Sequence, residues 1–270
     1  MQRVASKDAY FDKDRWEDPA YWRGNEDSAD PMPIEVDALL ALRSRKGSDK
    51  IVHLRTWRPD YDNRRYRVIM ELCPYNSVLS ILDRYVANGT TIPEPALWYL
   101  LESLVEAATV MAQGDLERPQ AGWDVYVHRD IKPSNIFLGT FSDNNFTAYP
   151  TPKLGDFGLA LRLDAIMKTE NPDAFIAGTG SYGFVAPEAS VDDEEVEEGR
   201  LIDDPPLHRL DSWTNVWGIG ATVLSLMNLN SIPAREAYLY SANPAPPPFN
   251  ANGLQYSDTL RQNCVQLPQC

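Results

Sequence analysis

Apolar positions alternate with polar ones in some stretches of this chain and recur at helical spacing in others. Residues 3–12, Arg-Val-Ala-Ser-Lys-Asp-Ala-Tyr-Phe-Asp, carry the β-branched and aromatic side chains that suit a strand. Residues 13–32 are polar and rich in Trp, Asp and Pro, which reads as a loop. From Pro33 to Leu42, the apolar residues Val36, Leu39, Leu40 and Leu42 fit one face of a helix. Residues 50–57 and 65–72 alternate as strands, with Arg58-Pro-Asp-Tyr-Asp-Asn63 as the turn between them. Leu97 to Met111 predicts a long apolar-rich helix, and Val216–Leu229 is apolar enough throughout to predict a buried one. Two short apolar runs, Val125-Tyr126-Val127 and Ile136-Phe137-Leu138, suit strands on either side of a rigid loop. Residues 139–152 read as a further loop, and the prolines of 243–253 as another, while Tyr256 begins a late helix.

Composition narrows the class. With 43% hydrophobic and 10% aromatic residues, 270 residues can fill one large domain or two lobes. No run of eighteen apolar residues occurs, and Met1-Gln2-Arg3 leads into no apolar signal stretch, so a soluble, intracellular protein with no membrane partner is expected. Three cysteines, Cys73, Cys264 and Cys270, fit a reducing compartment better than a disulfide framework. A net charge of −14 argues against nucleic acid as the main partner. Part of that charge is the run Asp192-Asp-Glu-Glu-Val-Glu-Glu198. It reads as a solvated insert, with recruitment of basic substrates as the alternative.

The chemistry is concentrated in the loop between the two short strands. Val127-His-Arg-Asp130-Ile-Lys132-Pro-Ser-Asn135 places a carboxylate, an ammonium and an amide within six positions. Phosphoryl transfer to a hydroxyl needs this set: an acid to orient the hydroxyl, a cation to offset charge on the moving group, and an oxygen ligand for magnesium. Asp156 adds a second hard oxygen of the kind magnesium prefers.

His128-Arg-Asp-x-Lys-x-x-Asn135, Asp156-Phe-Gly158 and Ala186-Pro-Glu188, in that order, resemble the catalytic core of a eukaryotic protein kinase of serine/threonine type. The resemblance extends over residues 4–263 and implies an α+β, two-lobed protein-kinase-like fold. It would comprise an incomplete N-terminal sheet lobe over residues 1–72 and a mainly helical lobe over 73–270, with ATP and Mg2+ as cofactors bound between them. The implied substrate is a protein Ser or Thr hydroxyl; nothing bears on oligomeric state. By resemblance, Asp130 is the catalytic base, and Lys132 marks the serine/threonine type. Asn135 and Asp156 hold magnesium. Phe137 floors the adenine pocket, Met70 takes the gatekeeper position, and the backbone of Glu71 and Cys73 pairs with adenine. Cys73, with no cation beside it, is expected to be a passive thiol. Val4-Ala-Ser-Lys7 resembles the strand lysine on the α- and β-phosphates, and Glu35 its helix partner. The spine of the fold would be Leu39, Leu54, His128 and Phe157, and Arg129 would answer phosphorylation at Thr169 or Thr179.

Several features depart from the family pattern. Only six residues precede Lys7, too few for the glycine-rich hairpin, which is therefore expected to be missing. Gly178-Thr-Gly180-Ser-Tyr-Gly183-Phe-Val185 spells a phosphate-loop motif, but it stands directly before Ala186-Pro-Glu188 with no strand lysine after it. It aligns instead with the substrate-docking loop, with Ser181 bridging Asp130 and Lys132. Asn215 stands before Val216-Trp217 where the family has aspartate, Asp211 being a less well-spaced substitute. The terminal helices have no counterpart, which would leave Glu188 without an ion pair. The alternative to an active kinase is a kinase-like scaffold or an inactive fragment.

Overall fold

The computed structural model describes residues 3–18, 21–23, 31–141, 146–163, 179–189 and 210–231. The acidic run, the proline segment, the late helix and Thr169 all lie outside them.

The front of the chain is built on a three-stranded antiparallel sheet in the order β1 (Val4–Tyr10), β5 (Arg65–Glu71), β4 (Leu54–Asp60). Successive side chains of a strand alternate between faces. In β1 this turns Ala5, Lys7 and Ala9 inward, while Val4, Ser6 and Tyr10 are exposed. The register pairs Ala5 with Met70, Lys7 with Val68 and Ala9 with Tyr66. Lys7 is thereby set among the inward-facing residues of β5. Strand β4 runs on through Arg58, Pro59 and Asp60, so the expected turn shrinks to Tyr61–Asn63, closed by Arg64 at φ 46°.

The described residues within 13–32 are more ordered than the loop their polarity predicts. They hold helix α1 (Lys13–Glu17), capped by the Asp12 carboxylate, and strand β2 (Trp22–Arg23) paired with β3 (Met32–Pro33). Such short pieces have little intrinsic stability. An aromatic cluster holds them: the Trp16 and Trp22 rings lie 4.6 Å apart edge to face, and Phe11 stacks on Tyr66 of the sheet at 5.7 Å.

Helix α2 (Ile34–Leu42) follows, with Glu35 and Asp37 in its first turn, where the helix dipole favours acids. Helix α3 (Val78–Asn88), ended by Gly89 in the left-handed conformation, has no counterpart among the elements expected from periodicity. Only Val78 and Leu82 of it are buried, so its apolar stripe is narrow. Helix α4 (Glu94–Gln113) starts ahead of its apolar core, because Pro95 sits in the first turn where no N–H is required.

Strand β6 (Tyr126–Val127) and strand β7 (Ile136–Phe141) flank the central loop but do not pair with each other. Strand β7 pairs with β8 (Pro150–Leu154), and β6 with β9 (Leu161–Arg162) just beyond Asp156-Phe-Gly158. Both ends of the expected loop 139–152 are therefore strand.

Helix α5 (Ser212–Met227) is almost wholly buried beyond its first turn. It begins before the expected Val216 because Asp211 and Thr214 form a capping box. Asp211 is thus a helix cap rather than a stand-in for the family aspartate. Asp211→Ala should cost about 1 kcal/mol, the usual value of an N-cap, read as a lower urea midpoint.

The main core runs through both halves of the molecule, from Leu39 and Leu54 to Leu104, Phe157 and Val223. The His128 and Phe157 rings lie 4.7 Å apart edge to face. The expected spine residues are accordingly packed into the core, with His128 and Phe157 touching directly.

Candidate active site

Three groups of side chains meet where the sheet faces the central loop. In the first, Lys7 Nζ lies 2.7 Å from Glu35 Oε1 and 2.6 Å from Asp156 Oδ1. Burial works against the Lys7 ammonium, but the two carboxylates outweigh it and raise its pKa. Burial likewise disfavours the Asp156 carboxylate, and the pairing with Lys7 prevails to hold its pKa below the usual range. Asp156 sits at φ 59°, a left-handed conformation that an aspartate tolerates better than most residues.

Tyr66 completes this group, and the sequence reading did not single it out. Its hydroxyl donates to Glu35 Oε2 at 3.0 Å, leaving Oε1 for Lys7. Burial, then the Glu35 charge, raises the phenol pKa, so it remains a donor. The signal lay in the alternation of β5: Tyr66 shares a face with Val68 and Met70.

In the second group, Asp130 Oδ2 accepts from Asn135 Nδ2 at 2.8 Å and from Lys132 Nζ at 2.9 Å. Asn135 Nδ2 also reaches the Asp130 carbonyl at 2.9 Å, which ties the loop into a closed ring. Lys132 Nζ donates in turn to Ser181 Oγ. Asp130 Oδ1 is buried and has no hydrogen-bond partner among the described residues. A buried acceptor of this kind has strong affinity for a donor. Ser181 comes this close because Gly180 has no side chain: at φ 135°, a Cβ there would lie 2.7 Å from the Arg129 carbonyl oxygen.

Two residues buried beneath the loop support it. Asn215 Oδ1 accepts from the His128 N–H at 2.8 Å, and its Nδ2 donates to the Tyr126 carbonyl at 3.0 Å. Both ends of the Asn215 amide are therefore in use, the oxygen accepting and the nitrogen donating. His128 Nδ1 accepts from the Asp130 N–H at 3.3 Å, so Nε2 carries the proton toward the Gly155 carbonyl at 3.1 Å. Burial pushes its pKa down to about 4. The unfolded chain, with an ordinary histidine near ~6.5, takes up a proton first as pH falls. The stability tied to neutral His128 is complete above pH ~6.5 and drains away toward pH ~4, on the order of 3 kcal/mol. Urea midpoints followed across that window should show this loss, and His128→Phe should flatten it.

The third group lines a cavity of about 520 Å³ between β1, the end of β5 and β7. Ala5, Val52, Met70, Cys73 and Phe137 form its apolar walls, with Lys7 and Asp156 at one end. The Glu71 carboxylate is turned to Lys153 Nζ at 2.9 Å and the His53 N–H at 2.8 Å, so its side chain is engaged. Burial raises the Cys73 thiol to about 11, which keeps it neutral.

No ion pair of Glu188 is found among the described residues; the Thr214 hydroxyl donates to its Oε1 at 2.7 Å instead. The capping threonine of α5 therefore takes up the carboxylate.

A family model described as protein kinase domain matches residues 23–238. The chain belongs to the protein kinase family. Members of the family use ATP and Mg2+ and act on protein substrates. Among curated proteins, it is 30% identical over 135 residues to the membrane-associated tyrosine- and threonine-specific cdc2-inhibitory kinase wee-1.3 of Caenorhabditis briggsae, covering 50% of this chain and 16% of that one. It is 27% identical over 198 residues to the G2-specific protein kinase nim-1 of Neurospora crassa, covering 67% and 18%. The inhibitor of nuclear factor kappa-B kinase subunit epsilon of Mus musculus matches at 25% over 193 residues, covering 72% and 23%. The chain thus spans less than a quarter of the length of each of these kinases.

The donor set fits the family's magnesium. Asn135 and Asp156 offer hard oxygens, and among the described residues no cluster of three or more His, Cys, Asp or Glu forms a protein cage. Magnesium held by one or two side chains and substrate phosphates needs no such cage. No helix among the described residues is long and apolar enough to cross a membrane.

Proposed function

We propose that this protein kinase transfers the γ-phosphoryl group of ATP to a serine or threonine hydroxyl of a protein. The observation that carries the reading is Asp130 Oδ1, a buried, unpartnered carboxylate oxygen whose neighbours are Lys132 and Asn135. A substrate hydroxyl would donate to that oxygen. As the new O–P bond forms and the bond to the ADP oxygen breaks, the hydroxyl proton passes to Asp130. Lys132, shared between Asp130 and Ser181, would supply a cation to offset charge on the moving group.

Lys7 would take the α- and β-phosphates, aligned by Glu35 and Tyr66. Adenine would lie among Ala5, Val52, Met70 and Phe137, with the backbone of Glu71 and Cys73 at its edge. Asn135 and Asp156 would hold magnesium, which when bound would supply positive charge to the phosphates. A carboxylate already drawn to an ammonium at 2.6 Å is ionised and available for that role. The net charge of −14 suits a protein substrate rather than nucleic acid, and the cysteine usage suits an intracellular site.

The test is transfer of labelled phosphate from ATP to a basic protein, together with the thermal shift on adding Mg-ATP. Transfer that needs Mg2+ supports the reading. Neither transfer nor a shift would favour a kinase-like scaffold.

A further inference from the structure

Asp37 and Arg23 belong to none of the three groups above. Asp37 is buried although acidic, two positions beyond Glu35 in the first turn of α2. Its Oδ1 pairs with Arg23 Nη1 of β2 at 3.0 Å. Its Oδ2 accepts from the Tyr126 hydroxyl of β6 at 3.3 Å and lies 4.0 Å from Arg162 Nη1 of β9. Arg162 is itself held by Asp124, at 3.0 Å. One carboxylate therefore gathers the segment after β1, helix α2, the strand leading into the central loop, and the strand after Asp156-Phe-Gly158.

The position on the helix gives this cluster its meaning. Residues two apart on an α-helix are separated by about 200° around the axis. Glu35 and Asp37 therefore grip opposite flanks of the same turn, Glu35 toward Lys7 and Tyr66, Asp37 toward β2, β6 and β9. A helix held at one flank can roll about its axis, whereas one held at both has its rotation and its depth set. Rolling α2 would withdraw Glu35 from Lys7. It would also leave a buried carboxylate without its cations, which is costly.

We propose that Asp37, clamped between Arg23 and Arg162, is a positioning residue that sets α2 so that Glu35 meets Lys7. The proposal rests on reading Lys7 and Glu35 as the phosphate-holding pair. In consequence, β2 acts through Arg23 as a built-in clamp on that helix.

Arg23 is the handle for a test, because its side chain is 48% exposed and its removal leaves the core in place. Arg23→Ala and Arg23→Lys are compared with the unaltered full chain by hydrogen exchange of residues 34–42, with residues 94–113 as the internal control. Arg23→Ala should speed exchange in α2 about fivefold, the factor expected for one ion pair, and leave α4 unchanged. Arg23→Lys, which keeps the charge, should restore it. In transfer assays the Ala variant should raise the ATP KM about fivefold with a smaller change in kcat, and the Lys variant should recover both. Equal α2 exchange in all three proteins overturns the clamp. Unaltered protein that transfers no phosphate counts against the active-site reading instead, and the exchange comparison still decides the clamp.

Discussion

Asp130→Asn should lower phosphoryl transfer about 10³-fold, within the range for loss of a positioned base. It should leave Mg-ATP binding within about a factor of two, because uniform binding and transition-state effects separate in this way. The substitution is nearly isosteric. Asn135 Nδ2 can still donate to the side-chain oxygen at the Oδ2 position, and its bond to the Asp130 backbone carbonyl is untouched. What disappears is the capacity of Oδ1 to take a proton, along with the charge that pairs with Lys132 at 2.9 Å. Lys7, which would engage the nucleotide, is hydrogen-bonded to Glu35 and Asp156 rather than to Asp130. Initial rates with labelled ATP, beside equilibrium nucleotide binding, give the comparison. Retention of more than about a tenth of the rate would remove Asp130 from the role of base.

The second large effect runs against the family pattern. Where the family resemblance implies aspartate before Val-Trp, this chain has Asn215, and introducing aspartate there should destabilise it. Asn215 is almost fully buried, and both ends of its amide are in use. An ionised aspartate could still accept from the His128 N–H, but its other oxygen would face the Tyr126 carbonyl, acceptor against acceptor at 3.0 Å. Losing a buried hydrogen bond and gaining a poorly compensated buried charge should cost about 2–4 kcal/mol. At roughly 2–4 °C per kcal/mol for a chain of this size, the midpoint should fall by about 5–15 °C.

The pH dependence distinguishes this cause from simple misfit. The new carboxyl would have a raised pKa in the folded state, because only its protonated form can donate to Tyr126. Relative to its reference, the variant keeps its stability below the unfolded carboxyl pKa near ~4 and loses it as pH rises. The gap between Asn215→Asp and the unaltered protein should therefore narrow at low pH. A variant as stable as the unaltered chain at pH ~7 would mean that the loop rearranges to give the carboxylate a second donor.

Much of the candidate site could be read from residues close together in the chain. Asp130, Lys132 and Asn135 lie within six positions, and the closed ring they form is a local structure. Ser181 was legible for a related reason: it stands at a set distance before Ala186-Pro-Glu188, which identifies its loop. Helix α2 and the long helices α4 and α5 followed from periodicity, with starts displaced where Pro95 and the Asp211 capping box act.

The reading failed where order comes from partners remote in the chain. Residues 13–32 look like a loop because their polar composition and short pieces predict nothing else. Phe11 and Tyr66 supply the apolar surface against which Trp16 and Trp22 settle. Tyr66 was unremarkable until the sheet register set it opposite Ala9, on the face turned to Glu35. Asp37 was one acid among many until β2, β6 and β9 closed around it.

The sequence alone determined the family and the kind of chemistry, because acid, ammonium and amide at fixed local spacing leave little conformational freedom. Only the tertiary structure decided that residues far apart in the chain meet in one site. Lys7 and Asp156 meet across 149 positions, and Glu35 reaches Lys7 across 28. Strand register, helix rotation and the packing of a shared core bring such pairs together, and none of these is encoded in the spacing of neighbours along the chain.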